Sequence, residues 1–177
     1  KKTVFTKKHQ QTALEIARRS IVLLKNESLL PVDTQKFKKI LVTGPNANNQ
    51  SIMGDWVFEQ PEKNVSTILK GIKEEASGTQ INYVDVGWNM RALDSAKIEK
   101  AIQTAKSSDL AIVIVGEDSF RQHWKEKTCG ENRDRMDITL WGKQDYLVES
   151  IYKTGVPTIV ILVNGRPLAT GWVAENI

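Results

Sequence analysis

Leu110-Ala111-Ile112-Val113-Ile114-Val115 is an unbroken apolar run, opened by Asp109 and closed by Gly116 and Glu117. A run this short and this rich in β-branched residues reads as a strand. Its lack of polar alternation means that both of its faces are buried. Strands of that kind belong to parallel sheets with helices laid on each side. Outward in both directions the flanks agree. Upstream, Asp94 or Ser95 can cap a helix whose apolar face is Ile98, Ala101, Ile102 and Ala105. Downstream, Leu140 to Tyr152 reads as a helix with Leu147, Val148 and Ile151 inward.

Further out the same alternation continues. Lys39-Ile-Leu-Val-Thr43 is a strand closed by Gly44-Pro45, and Gln80 to Val86 is another, ending at Gly87. Between them, Ser66 to Ala76 carries Ile68, Leu69, Ile72 and Ala76 at helical spacing. Thr158 to Val163 is a fourth strand, closed by Asn164-Gly165. At the start, Lys8 to Asn26 shows a helix face of Ala13, Ile16, Ala17, Ile21 and Leu24. The expected fold class is therefore α/β, a three-layer sandwich with a mostly parallel sheet and helices on both faces, formed by right-handed crossovers.

Composition narrows the function. The 177 residues suit one domain, with 40% apolar and 26% charged residues. Nothing approaches the run of about 18 apolar residues that a membrane span needs. The net charge of +4 is partly an N-terminal cluster of lysines, and elsewhere acids alternate with bases. No basic stripe interleaved with aromatics appears, so nucleic acid is not an expected partner. Cys129 is the single cysteine and His9 and His123 the only histidines, so neither a disulfide nor a metal site is expected. A catalytic role for Cys129 would require one of those histidines as its base. No Gly-x-Gly-x-x-Gly or Walker motif follows any strand, which leaves a nucleotide cofactor without its phosphate loop.

After the central strand the chain turns strongly polar. Thr128 to Ile138 reads Thr-Cys-Gly-Glu-Asn-Arg-Asp-Arg-Met-Asp-Ile. In open α/β sheets, ligands bind beyond the carboxyl ends of the strands. Glu131, with Arg133 and Arg135 close by in sequence, is thus a candidate acid or base. The same residues also fit a solvated, salt-bridged loop. Met53-Gly-Asp-Trp56 follows the first strand; Trp56 can stack on a ligand or pack over the sheet edge. Phe58 stands two residues further on.

Taken together, several segments resemble the second, α/β-sandwich domain of glycoside hydrolase family three, the β-glucosidase-type enzymes. They are Ala17 to Asn26 with Leu30-Pro31, Gly44-Pro-Asn-Ala47, Met53-Gly-Asp-Trp56, Val115-Gly-Glu117, Gly130 to Arg135 with Asp137-Ile138, and Asn164-Gly-Arg-Pro-Leu168. The resemblance covers nearly the whole chain and keeps the order of the family's segments.

The resemblance implies a two-step retaining mechanism, in which an Asp on a preceding (β/α)8 barrel attacks the anomeric carbon. A Glu of the second domain protonates the leaving oxygen and then activates water. By position that Glu is Glu131, and Trp56 matches a tryptophan lining the sugar cleft. Arg135 and Asp137 are expected to fix the loop, by pairing with each other or with the scaffold. Residues 1–177 are then one α/β domain, short of its family's C-terminal end and separated from its barrel. By itself such a chain holds half a site and is expected to have negligible activity. The expected partners are that barrel and a β-glucoside or oligosaccharide, without cofactor, metal, nucleic acid or membrane. Relatives' habits suggest a periplasmic or extracellular location. The alternative is a carbohydrate-binding or interaction module in which Glu131 is only a loop charge.

Overall fold

The computed structural model describes residues 3–177. They fall into two units, Lys1–Pro31 and Val32–Ile177. In the first, helix α1 spans Lys7–Ser20, and the Thr6 hydroxyl accepts a hydrogen bond from the His9 amide at its start. None of its side chains is buried. The helix stops at Ser20, short of the expected Asn26. Ile21 and Val22 are β-branched and lose side-chain freedom in a helix, and the backbone turns extended at Ile21. Asn26 builds a turn instead: its Oδ1 accepts from the amides of Leu29 and Leu30, while its Nδ2 donates to the Leu30 carbonyl.

The second unit is built on a four-stranded sheet. Its elements are β1 (Lys39–Thr43), α2 (Ile68–Glu75), β2 (Gln80–Val84), α3 (Ser95–Ala105), β3 (Leu110–Gly116), α4 (Gln144–Tyr152), β4 (Thr158–Val163) and α5 (Gly171–Asn176). The strands lie in the order β2-β1-β3-β4, and every pairing is parallel. All seven residues of β3 are buried, as a central strand between two neighbours and two covering layers requires. Asp109 fixes the β1–β3 register from below: its Oδ2 accepts from the amides of Lys38 at 2.9 Å and Lys39 at 2.8 Å.

Asp94 caps α3, its Oδ1 accepting from the amides of Ala96 and Lys97. The stripe Ile98, Ala101, Ile102 and Ala105 joins Leu147, Val148 and Ile151 of α4 in one core against Leu41, Ala111, Val113 and Val115. Each large side chain buried there contributes about 1.5–3 kcal/mol. The alternate strand residues Ile40, Val42, Ile112 and Ile114 are buried too, so the opposite face is covered as well. Right-handed crossovers put α2 on that face and α3 with α4 on the other. The order in which strands are added to the sheet therefore reverses between β1 and β3, the place where doubly wound sheets open a crevice. Close approach marks this junction. Gly44, at the end of β1, has φ +112°, and a Cβ there would lie 2.0 Å from the Ile114 carbonyl oxygen.

Candidate active site at the strand ends

Two loops meet above the β1–β3 junction. One runs from Gly44 to Val57 after β1, and the other from Glu117 to Leu140 after β3. Asn46 stitches their bases together: wholly buried, its Nδ2 donates to the Glu117 carbonyl at 3.1 Å and to the Ser51 hydroxyl at 3.2 Å. At the base of the second loop, the Thr128 hydroxyl accepts from the Asp118 amide, and the Thr128 amide donates back to the Asp118 carbonyl.

Glu131 stands at the tip, its side chain 42% exposed. The Arg121 guanidinium donates to its Oε2 at 2.6 Å. The sequence placed Arg133 and Arg135 near Glu131, but their charged ends go elsewhere. Arg133 donates to the carbonyls of Trp124 and Asn132. Arg135 donates to the Glu117 carboxylate at 3.3 Å and to the Thr139 carbonyl at 2.6 Å, and its guanidinium lies over the Trp141 ring. Adjacent side chains on an irregular loop point in different directions, and Arg121, ten residues upstream, folds back to reach the acid.

Arg135 thus joins the loop to buried Glu117, whose Oε1 is also 3.4 Å from Arg166 Nε, beyond β4. Asp137 makes a local turn instead: its Oδ1 accepts from the Thr139 amide at 2.7 Å, and that bond holds its carboxyl below the usual value. Trp56 is 75% exposed at the end of the β1 loop, and Phe58 is equally open. The guanidinium of Arg121 lies 3.9 Å from the centre of the Trp56 ring. Arg121 therefore bridges the two residues that the sequence selected for sugar chemistry, stacked on one and ion-paired to the other.

Sequence reasoning passed over the groups beneath them. Asp55, its side chain only 10% exposed, accepts from the Glu131 amide at 2.6 Å and from Lys127 Nζ at 3.0 Å. Burial raises its carboxyl, but the Glu131 amide, Lys127 and Arg121 together outweigh burial and hold it below 3.8. Lys127 is completely buried, with Nζ 4.2 Å from the Trp124 ring centre. No local pattern distinguishes that lysine from its exposed neighbours. Asp55 did carry a signal: it is a carboxylate in the first loop of a doubly wound sheet.

The remaining candidates have structural settings. His123 Nδ1 lies 2.5 Å from buried Asp118 Oδ2, and its ring stacks on Trp88 with centres 3.8 Å apart. Cys129 is buried beside Glu117; burial first, and then that carboxylate, push its thiol up to about 12. It stays protonated at neutral pH and makes a poor nucleophile. Among the described residues, no cluster of three or more His, Cys, Asp or Glu is placed to hold a metal. Among them also, no helix is long and apolar enough to cross a membrane.

Comparison with known proteins bears on the same segments. Residues 21–177 match the family model of the glycosyl hydrolase family 3 C-terminal domain. The chain belongs to this family. One relative, the β-xylosidase of Formosa agariphila, is 39% identical over 181 residues, covering 97% of this chain and 24% of that protein. The periplasmic β-glucosidase of Salmonella typhimurium is 31% identical, covering 91% of this chain and 23% of its own length. Among solved structures, the β-glucosidase from Listeria innocua in complex with glucose superposes with a TM-score of 0.82 at 26% identity, over 99% of this chain and 23% of that one. This family 3 domain thus spans about a quarter of the length of the relatives it matches.

Proposed function

We propose that this chain is the second domain of a retaining β-glycosidase, acting on terminal β-linked glucosyl or xylosyl groups. In this reading Glu131 is the general acid/base. It protonates the leaving-group oxygen while an Asp of a preceding barrel attacks the anomeric carbon. It then takes a proton from the water that releases the sugar. Trp56 supplies an aromatic platform for a sugar face. The observation that carries this is the convergence of the Trp56 and Glu131 loops at the β1–β3 junction, joined through Arg121. Glu131 is open enough to meet a substrate, and the junction is where such sheets bind ligands. Substrate must then take Arg121's place at Glu131 Oε2 or approach from its open side.

The names of the relatives, β-xylosidases and β-glucosidases, support the substrate class, and their length supports further domains in the whole protein, among which this reading places the barrel. The name of the Salmonella relative supports a periplasmic or extracellular setting.

The test compares the whole protein with its Glu131→Gln variant on an alkyl glycoside and on a dinitrophenyl glycoside. General acid catalysis contributes about 10²–10⁴-fold. A loss of that size is expected on the alkyl glycoside, which needs protonation. With the dinitrophenyl glycoside the first step should be largely spared, and added azide should restore turnover by attacking the glycosyl-enzyme without a general base. Equal small losses on both substrates, with no azide effect, would assign Glu131 to the scaffold.

A further inference from the structure

An acid/base on an exposed loop is useful only if something holds its main chain in place. Asp55 is built to do that. It belongs to the β1 loop, immediately before Trp56, yet its carboxylate reaches across to the β3 loop. Oδ2 accepts from the Glu131 amide at 2.6 Å and from Lys127 at 3.0 Å. Oδ1 faces Arg121 Nε at 3.8 Å, and among the described residues neither atom has a hydrogen-bond partner.

Two features mark this contact as more than a surface ion pair. Lys127 is fully buried, and a buried ammonium is tolerated only when a partner compensates it. Removing either charge strands the other. The backbone is also shaped around the carboxylate. Gly130, next to Glu131, has φ +88°, and a Cβ there would come within 2.6 Å of Asp55 Oδ2. Only glycine lets the loop come that near.

We propose that Asp55 is a positioning residue for Glu131: its carboxylate, anchored by Lys127, fixes the Glu131 main chain relative to Trp56. The proposal rests on the acid/base reading of Glu131. Asp55 touches no substrate itself. It sets the distance between the acid and the aromatic platform, because Trp56 is its chain neighbour and Glu131 its hydrogen-bond partner. Arg121, reaching Asp55, Trp56 and Glu131 at once, closes the cluster on the solvent side.

The test uses the whole protein and four variants: Glu131→Gln, Asp55→Ala, Asp55→Asn and the pair Asp55→Ala/Lys127→Met. The pair removes the carboxylate together with the buried cation, which keeps the fold intact where Asp55→Ala alone leaves Lys127 stranded. A displacement of about 1 Å costs on the order of 10²-fold in rate. Asp55→Ala and the pair should therefore lose about 10²-fold in kcat on an alkyl glycoside with little change in KM. On a dinitrophenyl glycoside kcat/KM, which reports the first step, should fall several-fold at most, while kcat falls with the base-assisted second step and is restored by azide. Asp55→Asn keeps one acceptor for the Glu131 amide and should show a smaller loss with the same substrate dependence. Amide hydrogen exchange across residues 128–133 should quicken in the pair, a readout independent of turnover.

Losses in kcat/KM of equal size on both substrates, or unchanged exchange in that segment, would overturn the positioning role. Should Glu131→Gln itself show no dependence on the leaving group, the acid/base reading falls and the proposal goes with it. A normal Glu131→Gln pattern beside an unselective Asp55 pattern removes only the proposal.

Discussion

Glu117 offers the most direct check on how the site loop is held. Its side chain is 1% exposed, and its Oε1 faces Arg135 at 3.3 Å and Arg166 at 3.4 Å. At an effective dielectric constant of about 20, each contact is worth roughly 5 kcal/mol of Coulomb attraction. Desolvation of the carboxylate and of Arg135, itself only 7% exposed, offsets most of that sum. Intact, the triad adds little net stability, but one missing member leaves an uncompensated buried charge. Glu117→Ala is therefore expected to cost about 3–4 kcal/mol, in the lower part of the range for broken buried pairs, because Arg166 can turn toward water. That is a large part of the roughly 5–15 kcal/mol that keeps a domain folded. Glu117→Leu combined with Arg135→Met removes the charge problem and should recover most of the loss. Urea unfolding followed by tryptophan fluorescence gives the midpoints, with the slope expected to stay constant. A cost below about 1 kcal/mol for Glu117→Ala, or a double variant no better than the single, would refute the view that removing one member strands a buried charge.

Other expectations follow from single observations. Gly44→Ala forces a Cβ within 2.0 Å of the Ile114 carbonyl oxygen at a positive φ, so β1 and β3 must separate. A loss of at least 2–3 kcal/mol is expected by thermal unfolding, since strain and disrupted packing add. Cys129 should resist iodoacetamide in the native protein at pH 8 and react only after unfolding, because burial holds its thiol near 12. The sign for stability follows. An unfolded thiol ionises above its ordinary value of 9.0, whereas the folded one keeps its proton, so its contribution is full below pH 9 and fades as pH rises toward 12. Tyr83, pushed up to about 12 by burial and then by Asp85, acts in the same direction from pH 10. Thermal midpoints should fall across this alkaline range, and a Cys129→Ala variant should show a shallower fall between pH 9 and 10.

Much of the fold lay open in the sequence. The period of the apolar residues is local: Leu110 to Val115 can only be a two-sided strand, and Ile98 to Ala105 only a one-sided helix. A capping carboxylate such as Asp94 acts within three residues, so it too is readable. Helix ends were less legible where β-branched residues continue an apparent stripe, as Ile21 does after α1. Glu131 and Trp56 could be selected as site candidates because motif and strand-end position both act over short stretches. What only the tertiary structure decided is which charges meet. Arg121, rather than Arg133 or Arg135, reaches Glu131; Asp55 and Lys127, 72 positions apart, share a hydrogen bond under the loop. Crossover handedness and strand order bring those segments together, and a charge's partner depends on where the backbone carries it, which neighbouring letters do not record.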